Sequence, residues 1–213
     1  MPNINDNGAN LKLTNRQKQA QETKKRLFES ALNLFTEKGF EKVLIKEITT
    51  KAGTSKGSFY TYFKTKDAVF FDFYDRLDRE YLTEYKKFPE SLSSKEKILK
   101  ILSFGFDYTA NFSSKIISIV ISHQLNESTY PPSIIDEKRV LGKIISQIIR
   151  QGQSSGEFNN RMTAQQYTDI LLTYYRGINT NWAFLNGNFN LVEVGKSKIK
   201  NFVEVILLNS GNE

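Results

Sequence analysis

The sequence predicts an all-α protein of about nine helices. Apolar residues recur at intervals of three and four along most of the 213-residue chain, which is the period of an amphipathic helix. No segment shows the sustained two-residue alternation, bounded by hairpin turns, that is typical of strands. Hydrophobic residues make up 39% of the chain, which is enough for real cores, and the length allows one or two domains.

The N-terminal third is predicted to contain a tail and three helices. Residues 1–18 are rich in Asn, Gln and Lys without periodicity, which predicts a flexible basic tail. The first helix carries one apolar face and stops at Gly39, where a left-handed cap belongs. The second, over 45–52, is broken by Gly53, and the third, over 55–62, begins at a serine that can cap it.

The rest of the chain is predicted to form six longer helices. Apolar stripes, and the Pro, Gly and Asn residues that separate them, place these helices at 66–88, 95–111, 114–126, 133–151, 163–185 and 191–208. We therefore expect three parts, namely the tail (1–18), an N-terminal domain (19–66) and a C-terminal domain (67–213).

The composition excludes several kinds of chemistry. The absence of cysteine rules out disulfides, Cys-based zinc sites and thiol catalysis, and it fits a reducing interior. A single histidine rules out His-rich metal sites within one chain, and no nucleophile–base pair is recognisable. No apolar run of about 18 residues exists, and the first residues are polar. We therefore expect a cytoplasmic protein that is not an enzyme and needs no metal or cofactor.

The positive charge is confined to the N-terminal third. Residues 1–66 contain 13 Lys and Arg against 6 Asp and Glu, whereas residues 67–213 contain 17 of each. The whole formal net charge of +7 therefore lies at one end, which predicts that this end meets an anion.

The same third contains two short helices around a tight turn. Ala52 is small enough for helices to cross closely, and Gly53 can adopt the positive φ of a sharp turn. The helix that follows has about two turns and is too short to be stable alone, so Phe59 and Phe63 should hold it against its neighbours. Its other face offers hydrogen-bond donors that suit a phosphate backbone, and a helix of this width fits a DNA major groove.

These residues resemble the N-terminal helix-turn-helix of the TetR family of bacterial transcriptional regulators, over about residues 20–75. The match is carried by Leu34, Phe35, Gly39, Phe40, Ile48, Ala52, Gly53, residues 55–63 and Lys66. The resemblance implies a recognition helix at the third predicted helix and a phosphate contact from Lys66. The residues we expect to bind DNA are Ser55, Lys56, Gly57, Ser58, Tyr60, Thr61, Tyr62 and Lys66. One departure is that Val43 and Leu44 stand where the family often has two threonines, which removes a usual cap and phosphate contact.

For the C-terminal domain the resemblance implies a homodimer and a ligand pocket. The helices at 163–185 and 191–208 fit the four-helix bundle through which these proteins usually pair. Aromatic rings with a few polar groups line pockets for flat or greasy molecules. The residues we expect to bind such a ligand are Phe104, Tyr108, His123 and Tyr174.

The sequence thus predicts a ligand-responsive regulator, most simply a repressor released from a pseudo-palindromic operator in double-stranded DNA by a small hydrophobic or aromatic inducer. The alternative is a DNA-binding architectural or adaptor protein of the same fold that acts through a protein partner. A large internal cavity favours the first interpretation, and a packed domain with an exposed apolar patch favours the second.

Overall fold

The computed structural model describes residues 14–126 and 139–208, with 123–126 described by their backbone alone. It confirms the all-α fold, because within these ranges the chain forms nine α-helices and a short π-helical turn. The only β-type pairing within them is an isolated bridge between Phe158 and Leu208. The chain divides into two compact units, and the second begins at Phe70.

The first unit contains α1 (Asn15–Lys38), α2 (Ile45–Lys51) and α3 (Lys56–Tyr62). Helix α1 begins inside the segment predicted as a tail, because Thr14 and Gln17 form a capping box. The Thr14 hydroxyl accepts from the Gln17 N–H at 3.2 Å, and the Gln17 side chain accepts from the Thr14 N–H at 2.8 Å. The rest of the predicted tail lies outside the described residues.

The second unit is built from longer helices, the first of which starts at the end of the first unit. They are α4 (Ala68–Tyr85), α5 (Ser94–Ala110), α6 (Ser114–Asn126), α7 (Val140–Ser154), α8 (Ala164–Phe184), α9 (Leu191–Phe202) and the π-helical turn Val203–Leu207. None of the helices in the described ranges is both long and apolar enough to cross a bilayer.

The prediction of one continuous helix from residue 133 to 151 fails at Arg139, and residues 133–138 lie outside the described residues. Arg139 has extended backbone angles (φ −67°, ψ 165°) and is the N-cap of a helix that begins at Val140. Apolar residues continue at helical spacing ahead of Arg139, and periodicity alone does not mark where a helix begins.

The C-terminal end also differs from the prediction of one helix to residue 208, because α9 gives way to the π-helical turn. Asn159 holds this end of the chain in place. Its amide donates to the carbonyls of Ile206 at 2.9 Å and Leu207 at 3.0 Å, and its Oδ1 accepts from the Tyr167 hydroxyl. These bonds satisfy carbonyl groups that the end of a helix otherwise leaves without partners.

A buried tyrosine pair lies where α4, α5 and α8 meet. The hydroxyls of Tyr81 and Tyr175 are 3.0 Å apart, and both rings are buried. Both hydroxyls lie against Gly105 of α5, where a Cβ would come within 2.2 Å of each oxygen. The glycine is therefore required for the close approach of the three helices.

We predict that Gly105→Ala destabilises the second unit by about 1–3 kcal/mol, because the added methyl group must displace a hydrogen-bonded pair in a packed core. Urea unfolding followed by circular dichroism measures this loss. The control is Asp107→Ala on the same helix, which removes an exposed ion pair with Lys196 and should change stability by less than about 0.5 kcal/mol. Equal effects of the two variants would contradict the prediction.

Candidate nucleic-acid interface and ligand cavity

The turn between α2 and α3 has the geometry that its sequence predicts. Ala52 is buried, and Gly53 adopts a left-handed backbone with φ +63°. The chain closes through a hydrogen bond from the Thr54 N–H to the Thr49 carbonyl at 2.9 Å. A side chain at position 53 would be strained in this conformation, so glycine is required for the sharp turn.

Helix α3 is anchored at its N-terminus and along one face. The Ser55 hydroxyl accepts from the Ser58 N–H at 3.1 Å, which satisfies one of the free donors of the first turn. On the inner side, Phe59 and Phe63 are 0% and 1% exposed, and their ring centroids are 5.4 Å apart. This burial fixes which residues of the helix face outward.

The outward face of α3 contains the DNA-binding residues predicted on this helix. The exposed residues are Ser55, Lys56, Gly57, Tyr60 and Thr61, and the half-buried ones are Ser58 and Tyr62. Three of the hydroxyls already make local hydrogen bonds, since Thr61 donates to the Gly57 carbonyl at 3.1 Å and the Ser55 and Ser58 hydroxyls are 3.3 Å apart. Lys56 and Tyr60 are therefore the long exposed side chains of this surface.

The start of α2 lacks the threonine cap that the family resemblance implies, and a glutamate carboxylate bonds the N-cap backbone instead. Leu44 is the N-cap and is 64% exposed, whereas Val43 is buried. The carboxylate of Glu47 accepts from the Leu44 N–H at 2.8 Å, and this bond, together with Lys38, lowers the pKa of Glu47 below its usual value. The pattern of a glutamate three residues after the N-cap could have revealed this arrangement in the sequence.

Lys66 is turned toward the protein backbone. Its Nζ donates to the carbonyls of Phe40 at 2.7 Å, Val43 at 3.1 Å and Glu41 at 3.4 Å, and it lies 4.2 Å from the centroid of the Phe40 ring. An ammonium group has three donors, so these carbonyls can occupy all of them. The geometry therefore gives Lys66 a role in holding the α1–α2 connection beside the interface.

The second unit contains a half-open cavity of about 250 Å³. Its wall comes from α4, α5, α6, α7 and α8 together with Arg139, and its apolar members include Phe73, Leu77, Ile117, Val120, Leu141 and Leu172. A mostly apolar cavity with a few polar groups is the usual form of a small-molecule site.

The wall contains two hydrogen-bonded pairs of polar groups, and its other polar members include Thr109, Arg176, Asn179 and Thr180. The first is the Tyr81–Tyr175 hydroxyl pair, where burial raises the pKa of Tyr175 to about 12 and that of Tyr81 well above its usual value. Both phenols therefore stay neutral at physiological pH. The second is an ion pair in which Arg139 Nη2 donates to Asp78 Oδ2 at 2.8 Å.

Three of the four residues predicted to bind a ligand are not part of the cavity wall. The rings of Phe104 and Tyr108 pack at 6.3 Å from each other, and neither residue is in the cavity wall. Tyr174 is 37% exposed and stacks on Phe202 with centroids 4.9 Å apart. The side chain of His123 lies outside the described residues. The aromatic residues of the wall are instead Phe73, Tyr74 and Tyr81 of α4 and Tyr175 of α8. Helical periodicity alone does not distinguish them from the predicted residues.

Comparison with known proteins connects the geometry to a family. Residues 27–73 match the family model described as "Bacterial regulatory proteins, tetR family". The uncharacterized HTH-type transcriptional regulator YdgC of Bacillus subtilis is 35% identical over 85 residues, which is 38% of this chain and 43% of that protein. The match thus spans less than half the length of this relative. The fatty acid metabolism regulator protein of the same organism is 20% identical over 84% of this chain and 93% of its own length.

Solved structures show the same fold over most of the chain. The transcriptional regulator FadR from Bacillus subtilis, in complex with stearoyl-CoA, superposes with a TM-score of 0.67 at 19% identity, covering 84% of this chain and 96% of FadR. The matched relatives are regulators and not enzymes.

We predict that Lys66→Ala destabilises the first unit by about 1–3 kcal/mol, because it leaves carbonyl groups without their donor. Calorimetry would measure this loss. Affinity for DNA should fall at every sequence, but the dependence of log affinity on log salt should keep its slope. The control, Lys56→Ala, removes an exposed cation and should reduce that slope by about one with unchanged stability. A reduced slope in the Lys66 variant would show that its ammonium binds phosphate.

Proposed function

Since this chain belongs to the TetR family of bacterial transcriptional regulators, we propose that it is a cytoplasmic, nucleoid-associated repressor that a small ligand releases from its operator. The observation that carries the proposal is the outward face of α3, a capped helix whose inner side is anchored by buried phenylalanines. Exposed Lys56 and Tyr60 on that face suit contacts with phosphate and with groove edges.

The DNA contacts divide by role in this proposal. The residues Ser55, Lys56, Gly57, Ser58, Tyr60, Thr61 and Tyr62 form the contact surface. Lys66 supports that surface through its backbone bonds. A single helix of seven residues offers few contacts, so specific binding needs two copies of it on one operator. Two copies would enter successive major grooves, about 34–36 Å apart, and the operator would therefore be a pseudo-palindrome.

Exposed apolar residues on α8 support the pairing of two copies. Ile170, Tyr174 and Phe184 are 39%, 37% and 72% exposed. Gly177 lies between them in the chain, and an added Cβ there would meet nothing within 4 Å. The four positions 170, 174, 177 and 184 are spaced at i, i+4, i+7 and i+14, so they share one face of the helix. Packing within one chain does not require a glycine at this position. A glycine here would allow a helix of a second copy to approach α8 closely. We propose a homodimer through α8 and through α9 with the turn that follows it.

The cavity supports control by a small molecule over the adaptor alternative. Its volume of about 250 Å³ lies just below the range of about 300–1,000 Å³ that is usual for drug-sized ligands. Helix α4 lines the cavity with Phe73, Leu77 and Tyr81, and the same helix begins next to the first unit. A ligand would reduce operator binding if it binds more tightly to the arrangement of α4 that does not fit DNA. The stearoyl-CoA bound to FadR supports a ligand in a domain of this fold.

We predict specific binding to a pseudo-palindrome in the promoter region beside the protein's own gene. DNase footprinting at several salt concentrations would reveal it, and affinity should fall steeply as salt rises because phosphate contacts release counterions. Random DNA of the same length is the control. Equal affinity for both DNAs, or the absence of a footprint, would overturn the proposal.

We predict that Phe184→Glu gives a folded monomer with weakened operator binding. The side chain is 72% exposed within one chain, so the substitution costs the fold little, whereas it places charges in the proposed interface. Sedimentation velocity measures the change in mass. The matched control is Leu82→Glu on α4, which is 42% exposed and lies away from the proposed interface, so this variant should remain dimeric. Dimers in both variants would place the interface elsewhere.

A further inference from the structure

One corner of the cavity wall contains a cation that is already paired. Arg139 Nη2 donates to Asp78 Oδ2 at 2.8 Å, and the guanidinium lies 5.2 Å from the centroid of the Tyr74 ring. The side chains of Arg139 and Asp78 are only 17% and 23% exposed. The corner thus places a half-buried ion pair in a mostly apolar wall that also contains Arg176.

The arrangement favours an anion over a cation as ligand. A cationic ligand would seek the carboxylate and the face of Tyr74, but Arg139 already occupies both. An anion can add to the guanidinium, which has five N–H donors. Within the described ranges, the guanidinium of Arg139 makes one hydrogen bond, which is to Asp78. Donors in a fork of this geometry suit a carboxylate, which can accept two of them.

Asp78 is a weak competitor for that guanidinium. Burial raises the pKa of the Asp78 carboxyl above its usual value even though Arg139 acts in the opposite direction. Because burial favours the neutral form of the Asp78 carboxyl, uptake of a proton by Asp78 can compensate when a ligand carboxylate takes over Arg139.

We propose that the cavity binds a small monocarboxylate with an apolar body, and that Arg139 binds its carboxylate. The remaining wall, with Phe73, Leu77 and Leu172, contacts the apolar body, and the volume of about 250 Å³ limits its size. This inference rests on the proposed function, because it names the chemical class of the ligand that would act on the operator complex.

Three probes of one planar shape test the inference, namely benzoate (anionic), benzamide (neutral) and benzamidine (cationic). Isothermal titration calorimetry on the full-length protein should show benzoate binding about tenfold or more tightly than benzamide, as a charge-assisted hydrogen bond supplies, with benzamidine weakest. Asp78→Asn should strengthen benzoate binding several-fold, because it removes the competing carboxylate. Loss of affinity in that variant would contradict the inference.

Arg139→Gln should abolish the preference for benzoate over benzamide. Since this variant leaves Asp78 without its partner and can destabilise the fold, the double variant Asp78→Asn/Arg139→Gln provides a neutral pair that should bind both probes equally. The matched control is Arg150→Gln on α7, whose side chain bonds Ser146 outside the cavity and whose loss should leave the order unchanged.

The inference is overturned if benzamidine binds most tightly, if the three probes bind equally, or if none binds at millimolar concentration. Operator affinity, measured by fluorescence anisotropy without any probe, tests the proposed function separately. Specific DNA binding without benzoate preference would refute only this inference. Benzoate preference without specific DNA binding would refute the regulatory function and leave the carboxylate site standing.

Discussion

The proposed DNA-binding surface on α3 depends on the burial of two phenylalanine rings. Helix α3 has seven residues. An isolated helix of that length is not stable in water, because the free-energy cost of nucleation exceeds the stabilisation from its few hydrogen bonds. Fully burying Phe59 and Phe63 contributes about 1.5–3 kcal/mol each, which is enough to hold so short a segment. The exposed face can then carry polar side chains whose own contribution to folding is small.

Backbone hydrogen bonds from charged side chains complete that support. Glu47 caps α2 where no side chain at Leu44 can do so, and Lys66 gathers carbonyls of the α1–α2 connection. A charged group that bonds the backbone has less freedom to bind a ligand. The first unit thus uses two of its charges to fix the geometry from which other cations, such as Lys56, would contact DNA in the proposed complex.

The second unit combines tight packing with a cavity. The contact of Tyr81 and Tyr175 against Gly105 leaves no room for one methyl group, yet the same tyrosines line about 250 Å³ of open space. Packed interiors respond to a perturbation by moving whole elements and not by continuous deformation. A ligand that contacts α4 in this setting would act on a helix whose first residues adjoin the DNA-binding unit.

The sequence by itself determined the helices, the α2–α3 turn and the outward face of α3. These features depend on local patterns, such as the apolar spacing along α1 and the positive φ that glycine permits at position 53. Tertiary structure alone decided the start of α7, the inward turn of Lys66 and the aromatic residues that line the cavity. The reason is that such features arise from partners far apart in the chain, as with Tyr81 and Tyr175, which are 94 positions apart. Phe104 and Tyr108 are spaced four residues apart, as are Phe73, Leu77 and Tyr81, which line the cavity. Spacing therefore does not tell the two groups apart, and only the packing of several helices decides which group lines the cavity.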